Sequence, residues 1–235
     1  MIADTASLHT FVEAFRFIAD NPGVLAGKAV DQLELSGAAL GIAAGIALPL
    51  GIVLGHFHRF SGLAIGASIF GRGLPSLVLI GAFLTVLGIG FVNNMVALAV
   101  LGSGPILTTA YSAVDGVDRD AVEAARGMGM TRAQILRRVE LPLGIPLLFT
   151  GIRIAAVTIV ATAPIAAIAG GGGLGDIIVN QASYRLSGVI AASLCVMLLS
   201  AAVYSGLVAL QVGVTPRGLR RTRVRNAPLS RKEQQ

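Results

Sequence analysis

The sequence predicts an all-α, polytopic transmembrane helical bundle of about five to six spans, and three observations predict it. Of 235 residues, 54% are hydrophobic and only 13% charged, about half the charged fraction of a typical soluble domain, and mean hydropathy is +0.80. The apolar runs are unbroken over about 20 residues, the length a helix needs to cross a bilayer core. The alternating pattern of a membrane β-barrel is absent. A single cysteine, Cys195, excludes an internal disulfide and a cysteine-based metal site, and reads as a small packing residue.

Residues 1–28 are expected to form an external, interfacial helix. Asp4, Thr5 and Ser7 stand where a cleavable signal peptide would have a basic start and a pure apolar core. Phe11, Val12, Ala14, Phe15 and Ile18 share one helical face, so this helix lies on the membrane surface or packs on the bundle. A transmembrane domain follows over residues 29–212. Its first crossing is about Leu33–Gly55. The second lies within Gly62–Gly90 and is best placed at Gly73–Val92, because an arginine at mid-span, here Arg72, costs about 2.5–3.5 kcal/mol on insertion scales. A sixth, short crossing before Pro75 is compatible with the pattern. The remaining spans are Phe91–Tyr111, Gly144–Ile168 and Gly188–Val212, and residues 213–235 form a basic tail.

The basic residues set the orientation. Arg59, the arginines at 119, 126, 132, 137 and 138, and a tail from Arg217 to Lys232 fall on one side, and only Arg16, Lys28 and Arg185 on the other. The positive-inside rule then puts the N-terminus outside and the central loop and C-terminus in the cytoplasm. The net charge of +6 thus reflects topology, with the tail as an anchor to anionic lipid and not a nucleic-acid surface.

Within the spans, Gly37, Gly41 and Gly45, and Gly51 with Gly55, place small residues four apart. This allows close helix approach, either inside the bundle or at a dimer face. Pro49, Pro75, Pro146 and Pro164 interrupt helices and mark kinks or unwound backbone. Arg153 is an intramembrane charge, a pathway residue by default, or a side chain snorkelling to the interface. His56 and His58 flank Phe57 beside Arg59, with no neighbouring ligands for a metal, and read as interface anchors.

The central polar stretch, Asp115 to Pro142, is the most informative segment. Asp118, Asp120 and Glu123 crowd a helix start, where the dipole favours negative charge. Val117, Ala121, Ala124, Ala125 and Met128 can form an apolar stripe. Gly127 and Gly129 break the helix, and Thr131 with Gln134 has the spacing of a capping box for a second one. Ile135, Leu136 and Val139 give that helix its apolar face, and Pro142 ends it. Two short helices joined at a sharp angle either dock a partner or merely cap the bundle.

The pattern Glu123-Ala124-Ala125, three residues, Gly129, nine residues, Val139-Glu140-Leu141-Pro142 resembles the EAA loop of bacterial ABC importer membrane subunits. Val139 stands where that family usually has Ile. Gly73-Leu74-Pro75-Ser76-Leu77 is similar to the Pro-Ser-Leu segment that opens the second span in the glycine betaine/choline/carnitine permease subfamily, although Gly71-Arg72-Gly73 replaces a polar Gln-Thr there. Gly170 to Asp176 is similar to the Gly-Leu-Gly-Asp loop after the fourth span of such permeases. The resemblance implies a type I ABC importer (MetI-like) permease fold. It also implies that Glu123, Ala124, Ala125, Gly129, Val139 and Pro142 contact an ATP-hydrolysing subunit. Pathway or gate roles fall to Pro75, Ser76, Arg153, Gly173, Gly175 and Asp176.

The implied partners are a cytoplasmic ABC ATPase dimer holding ATP and Mg, a second permease subunit, a substrate-binding protein outside, and membrane lipid. The implied substrates are quaternary ammonium osmoprotectants: glycine betaine, choline or carnitine. No Ser/His/Asp set or nucleotide-binding loop is present, so the chain itself reads as a transport subunit and not an enzyme. With no Trp and 5% aromatic residues, an aromatic cage for a quaternary ammonium is expected on the binding protein. The competing readings are an ion-coupled carrier or channel, which would place charges at mid-membrane, and an ABC permease for amino acids.

Overall fold

The computed structural model describes residues 2–57, 66 and 75–214. In chain order the helices are α1 (Ile2–Asp20), α2 (Pro22–His56), α3 (Ser76–Leu87), α4 (Phe91–Asp115), α5 (Arg119–Gly127) and α6 (Arg132–Ile135). A π-helical turn, Leu136–Glu140, leads into α7 (Leu141–Thr162), and a 3₁₀ helix, Ala163–Ala169, closes it. The last two are α8 (Gly175–Val179) and α9 (Gln181–Val214). Among the described residues, four stretches are long and apolar enough to cross a membrane: Pro22–His56, Phe91–Asp115, Arg132–Ala169 and Gln181–Val214.

Two expected boundaries move. The first crossing extends back to Pro22, so residues 22–28 belong to α2 and not to a separate external helix. The second crossing, expected at Gly73–Val92, is the 12-residue helix α3. At 1.5 Å per residue it reaches about 18 Å, short of a bilayer core of about 30 Å. The sequence stops it: Gly88 and Gly90 take positive φ of 74° and 134°, which turns the chain directly into α4. Pro75 keeps extended backbone and caps α3 at Ser76. Arg59, Arg72, Gly71, Gly73, His58, any sixth crossing and the tail from residue 215 lie outside the described residues.

The core forms where α2, α4 and α7 meet. Leu35, Ala39, Ala43 and Ala47, one α2 residue per turn, pack with Leu98, Leu101 and Ile106 of α4 and Ala155 and Ile159 of α7. This i, i+4 ridge is narrow because the residues are small. The rest of α2 keeps Ile42, Ile46, Leu50 and Val53 exposed, a surface suited to lipid or another subunit. The small-residue series divides accordingly. A Cβ on Gly51 would lie 2.6 Å from the Ala110 Cβ, and one on Gly55 2.6 Å from the Tyr111 carbonyl oxygen, whereas Gly37, Gly41 and Gly45 meet nothing within 4 Å. Gly51 and Gly55 therefore serve packing inside the bundle.

The expected α1 face divides. Ala14 is fully buried and Ile18 joins a cluster with Leu25, Leu174, Ile177 and Ala192, while Phe11, Val12 and Phe15 stay exposed. Phe17, outside that face, joins the same cluster and makes an edge-to-face contact with Tyr184 at 6.3 Å, so the helix packs on the bundle. Cys195 lies against the same cluster, as a packing residue would.

Candidate functional site

The central loop builds the hairpin that its residues specify. Asp118 caps α5 by accepting the Asp120 N–H at 3.0 Å. Gly129, at φ +82°, makes the turn after it. The capping box closes in both directions: the Thr131 N–H donates to Gln134 Oε1 at 2.8 Å, and the Gln134 N–H to Thr131 Oγ1 at 3.4 Å. Four orphan N–H groups open every helix, and here side chains of the loop satisfy some of them locally, so the hairpin holds its shape at the surface.

The expected apolar stripe of α5 divides between two faces. Ala125 is buried, and Val122 lines one cavity with Ile135, itself 2% exposed. Ala124 faces outward beside Glu123, and Met128 is 71% exposed. One side of a nine-residue helix suffices to seat it, which frees the other. The outer face is thus a carboxylate, a methyl and a thioether with Gly129 at its end, low enough in relief for another protein's backbone to approach. Val139 and Pro142 are half-buried where the hairpin joins α7.

The loop is joined to α2 by a contact the sequence reading did not anticipate. His56, expected as an interface anchor, puts Nδ1 2.6 Å from Glu140 Oε2. Only 12% and 3% of the two side chains are exposed. The imidazole N–H donates and the carboxylate accepts. A cavity of about 160 Å³ adjoins them, between Phe57, Val122, Arg126, Arg132 and Ile135. Glu140 stands inside the motif, but its partner is 84 positions away, and no spacing signal connects them.

At the other end of the bundle the glycine-rich turn packs against its neighbours. Gly170, Gly172 and Gly173 all take positive φ. A Cβ on Gly173 would meet the Gln32 Cβ at 3.1 Å, and one on Gly175 would collide with the Pro164 carbonyl oxygen. Asp176 Oδ2 accepts from Lys28 Nζ at 2.6 Å. Gln32 reaches across to the Val160 carbonyl at 3.0 Å. Asn94 bridges the carbonyls of Gly90 (2.9 Å) and Ala169 (3.1 Å). These buried amides were not singled out from sequence, since an isolated Asn or Gln in an apolar run carries no period.

Arg153 lies between the two ends, on α7. Its Nη2 donates to Thr150 Oγ1 at 3.2 Å, its guanidinium stands 5.6 Å from the Tyr204 ring centre, and its Nε is buried without a partner. It therefore contacts α9 rather than loop carbonyls, with a cation–π contact softening its burial. The 115–142 hairpin, Arg153 and the Gly173–Asp176 turn thus occupy separate levels of one bundle. Among the described residues, no group of three or more His, Cys, Asp or Glu side chains is placed to hold a metal.

Comparison with known proteins agrees with this architecture. Residues 47–215 match the family model described as binding-protein-dependent transport system inner membrane component. The chain is 33% identical over 207 residues to the choline transport system permease protein OpuBB of Bacillus subtilis (strain 168), covering 88% of this chain and 95% of that one. It is 34% identical over 204 residues to the glycine betaine/carnitine/choline transport system permease protein OpuCB of the same organism, covering 86% and 94%. The osmoprotectant import permease protein OsmW of Salmonella typhimurium (strain LT2) is 33% identical over 215 residues, covering 89% and 100%. Among solved structures, a chain of the inward-facing MetNI methionine ABC transporter superposes with TM-score 0.73 at 22% identity, covering 83% of this chain and 99% of that one, a likeness of fold.

Proposed function

This chain belongs to the family of binding-protein-dependent transport system inner membrane components, and from that membership we propose that it is the permease subunit of an ATP-driven importer of quaternary ammonium osmoprotectants. Glycine betaine, choline and carnitine are the substrates named for relatives that match nearly end to end, and this supports the same class here. ATP and Mg are held by a cytoplasmic ABC ATPase dimer, a substrate-binding protein delivers cargo from outside, and a second permease subunit completes the pathway. The N-terminus lies outside, and the 115–142 hairpin and basic tail face the cytoplasm.

The observation that carries this reading is the outward face of α5. A self-capped hairpin exposing Glu123, Ala124 and Met128 at the end of an apolar bundle is a handle for a water-soluble partner. A carrier driven by ions would need its charges at mid-membrane instead. Ala125 seats the handle, Gly129 turns it, and Val139 and Pro142 join it to α7. Pro75, Ser76 and Arg153 are assigned to the pathway, and Gly173, Gly175 and Asp176 to its outer gate.

The test is Glu123→Lys in the reconstituted complex. Reversing the Glu123 carboxylate on the outward face is expected to abolish ATP-driven uptake while membrane insertion and yield stay unchanged. Uptake at the normal rate would remove the coupling assignment.

A further inference from the structure

The last turn of α2 and the π-helical turn ahead of α7 are joined by the buried Glu140–His56 contact, and its position suggests more than a structural filler. We propose that Glu140 and His56 are positioning residues for energy coupling: the pair ties α2 to the coupling hairpin, so that the α2–α4 block follows when the hairpin moves. The proposal rests on the reading of residues 115–142 as an ATPase dock.

Three observations carry it. First, the residues from Arg132 to Ala169 form one nearly continuous helical run, interrupted at Leu136–Glu140 by a π-helical turn. Such a turn is wider than its neighbours, recurs at functional sites, and gives more easily than the α-helix on either side. A displacement of α5 and α6 is dissipated there unless the turn is held from the side. Glu140 is its last residue, and it is held at 2.6 Å by a side chain from another helix.

Second, apolar packing does not replace the tie. The cavity of about 160 Å³ beside the pair separates Val122, Ile135 and Phe57, so the hairpin is not close-packed against the end of α2. A charge-assisted contact shielded from water keeps its strength where a loose apolar contact slips.

Third, α2 can pass on what it receives. Gly51 and Gly55 bring its backbone against the Ala110 and Val114 Cβ atoms and the Tyr111 backbone of α4, with no room for a side chain on the α2 side. Interfaces packed this tightly move as a unit. A force arriving at His56 therefore reaches α2 and α4 directly, while the covalent route through the π-helical turn enters the bundle at α7 and reaches α2 only through the core.

The experiment uses the full complex of permease, ATPase and binding protein in proteoliposomes, and reads substrate imported per ATP hydrolysed. In the double variant His56→Leu/Glu140→Leu both polar partners are replaced by apolar groups, a change that is close to neutral for folding. Its thermal stability and copurified ATPase are expected to match wild type, and imported substrate per ATP is expected to fall about tenfold, within the range of ordinary coupling energies. Glu140→Gln keeps a neutral hydrogen bond and is expected to retain most of the ratio. If the double variant fails to reach the membrane, His56→Leu alone is read by imported substrate per ATP at a temperature below its lowered melting point, since it strands the Glu140 carboxylate. A wild-type ratio in a variant that has lost the pair overturns the proposal and leaves the dock assignment standing. Absence of ATPase from the wild-type complex overturns both.

Discussion

Each end of α2 is tied by one acid–base pair, and the two ties differ in burial and in what else holds them. His56–Glu140 is almost wholly enclosed, whereas Lys28 and Asp176 keep 29% and 37% of their side chains exposed. Both contacts measure 2.6 Å. Distance alone would rank them equal; burial does not. A pair open to water is worth at most about 1 kcal/mol, because solvent competes for both partners. In an enclosed pair, removing one partner strands the other in a poor solvent and costs about 3–5 kcal/mol. The Lys28–Asp176 end compensates with backbone: positive-φ glycines, a Cβ-free contact with Gln32, and amide bridges hold the turn whether or not the ion pair forms.

Substitutions at the two ends would break or sharpen this contrast, and the largest effect is expected at the enclosed pair. Glu140→Ala should lower the unfolding free energy by about 3–5 kcal/mol, read as a drop of many degrees in the detergent melting temperature. A change no larger than at Asp176 would erase the distinction between the ends. Next comes the glycine turn. Gly173→Ala forces a side chain into φ +76° and against Gln32, and left-handed backbone alone costs about 1–2 kcal/mol. Melting curves should show this loss undiminished in high salt. Thr131→Ala removes half of a reciprocal cap and should cost about 1 kcal/mol, seen as faster hydrogen exchange at residues 131–135. The smallest effect belongs to Asp176→Asn, below about 1 kcal/mol and shrinking further as added salt screens the exposed pair. An Asp176→Asn variant that melts like Glu140→Ala would show that burial is not what divides the two.

Much of this was legible in the sequence because local chemistry dictates it. Unbroken apolar runs gave the long helices. Asp118, Gly129, Thr131 and Gln134 each perform the local task their residue type suggests, since a cap or a turn depends on neighbours within four positions. What escaped was decided by distant contacts. Nothing near Phe17 tells that it will meet Tyr184, so α1 seats itself on Ala14 and Ile18 as expected but with Phe17 in place of Phe11, Val12 and Phe15. Gly88 and Gly90 permit the turn that ends α3 after 12 residues, but the contact that fixes it comes from Ala169, far away in the sequence. The coupling motif placed Glu140 in view but not His56, whose role exists only once α2 and the hairpin are side by side.

Lys28 and His56 stand on one helix, and the 28 steps of 1.5 Å between them come to about 42 Å. That span equals the thickness of a bilayer with its headgroups, about 40–45 Å. The two fastened points of α2 therefore sit at opposite water boundaries, joined by a rod with a single internal proline, Pro49. A tilt imposed at one boundary arrives at the other by geometry, and no segment in between needs to refold to carry it.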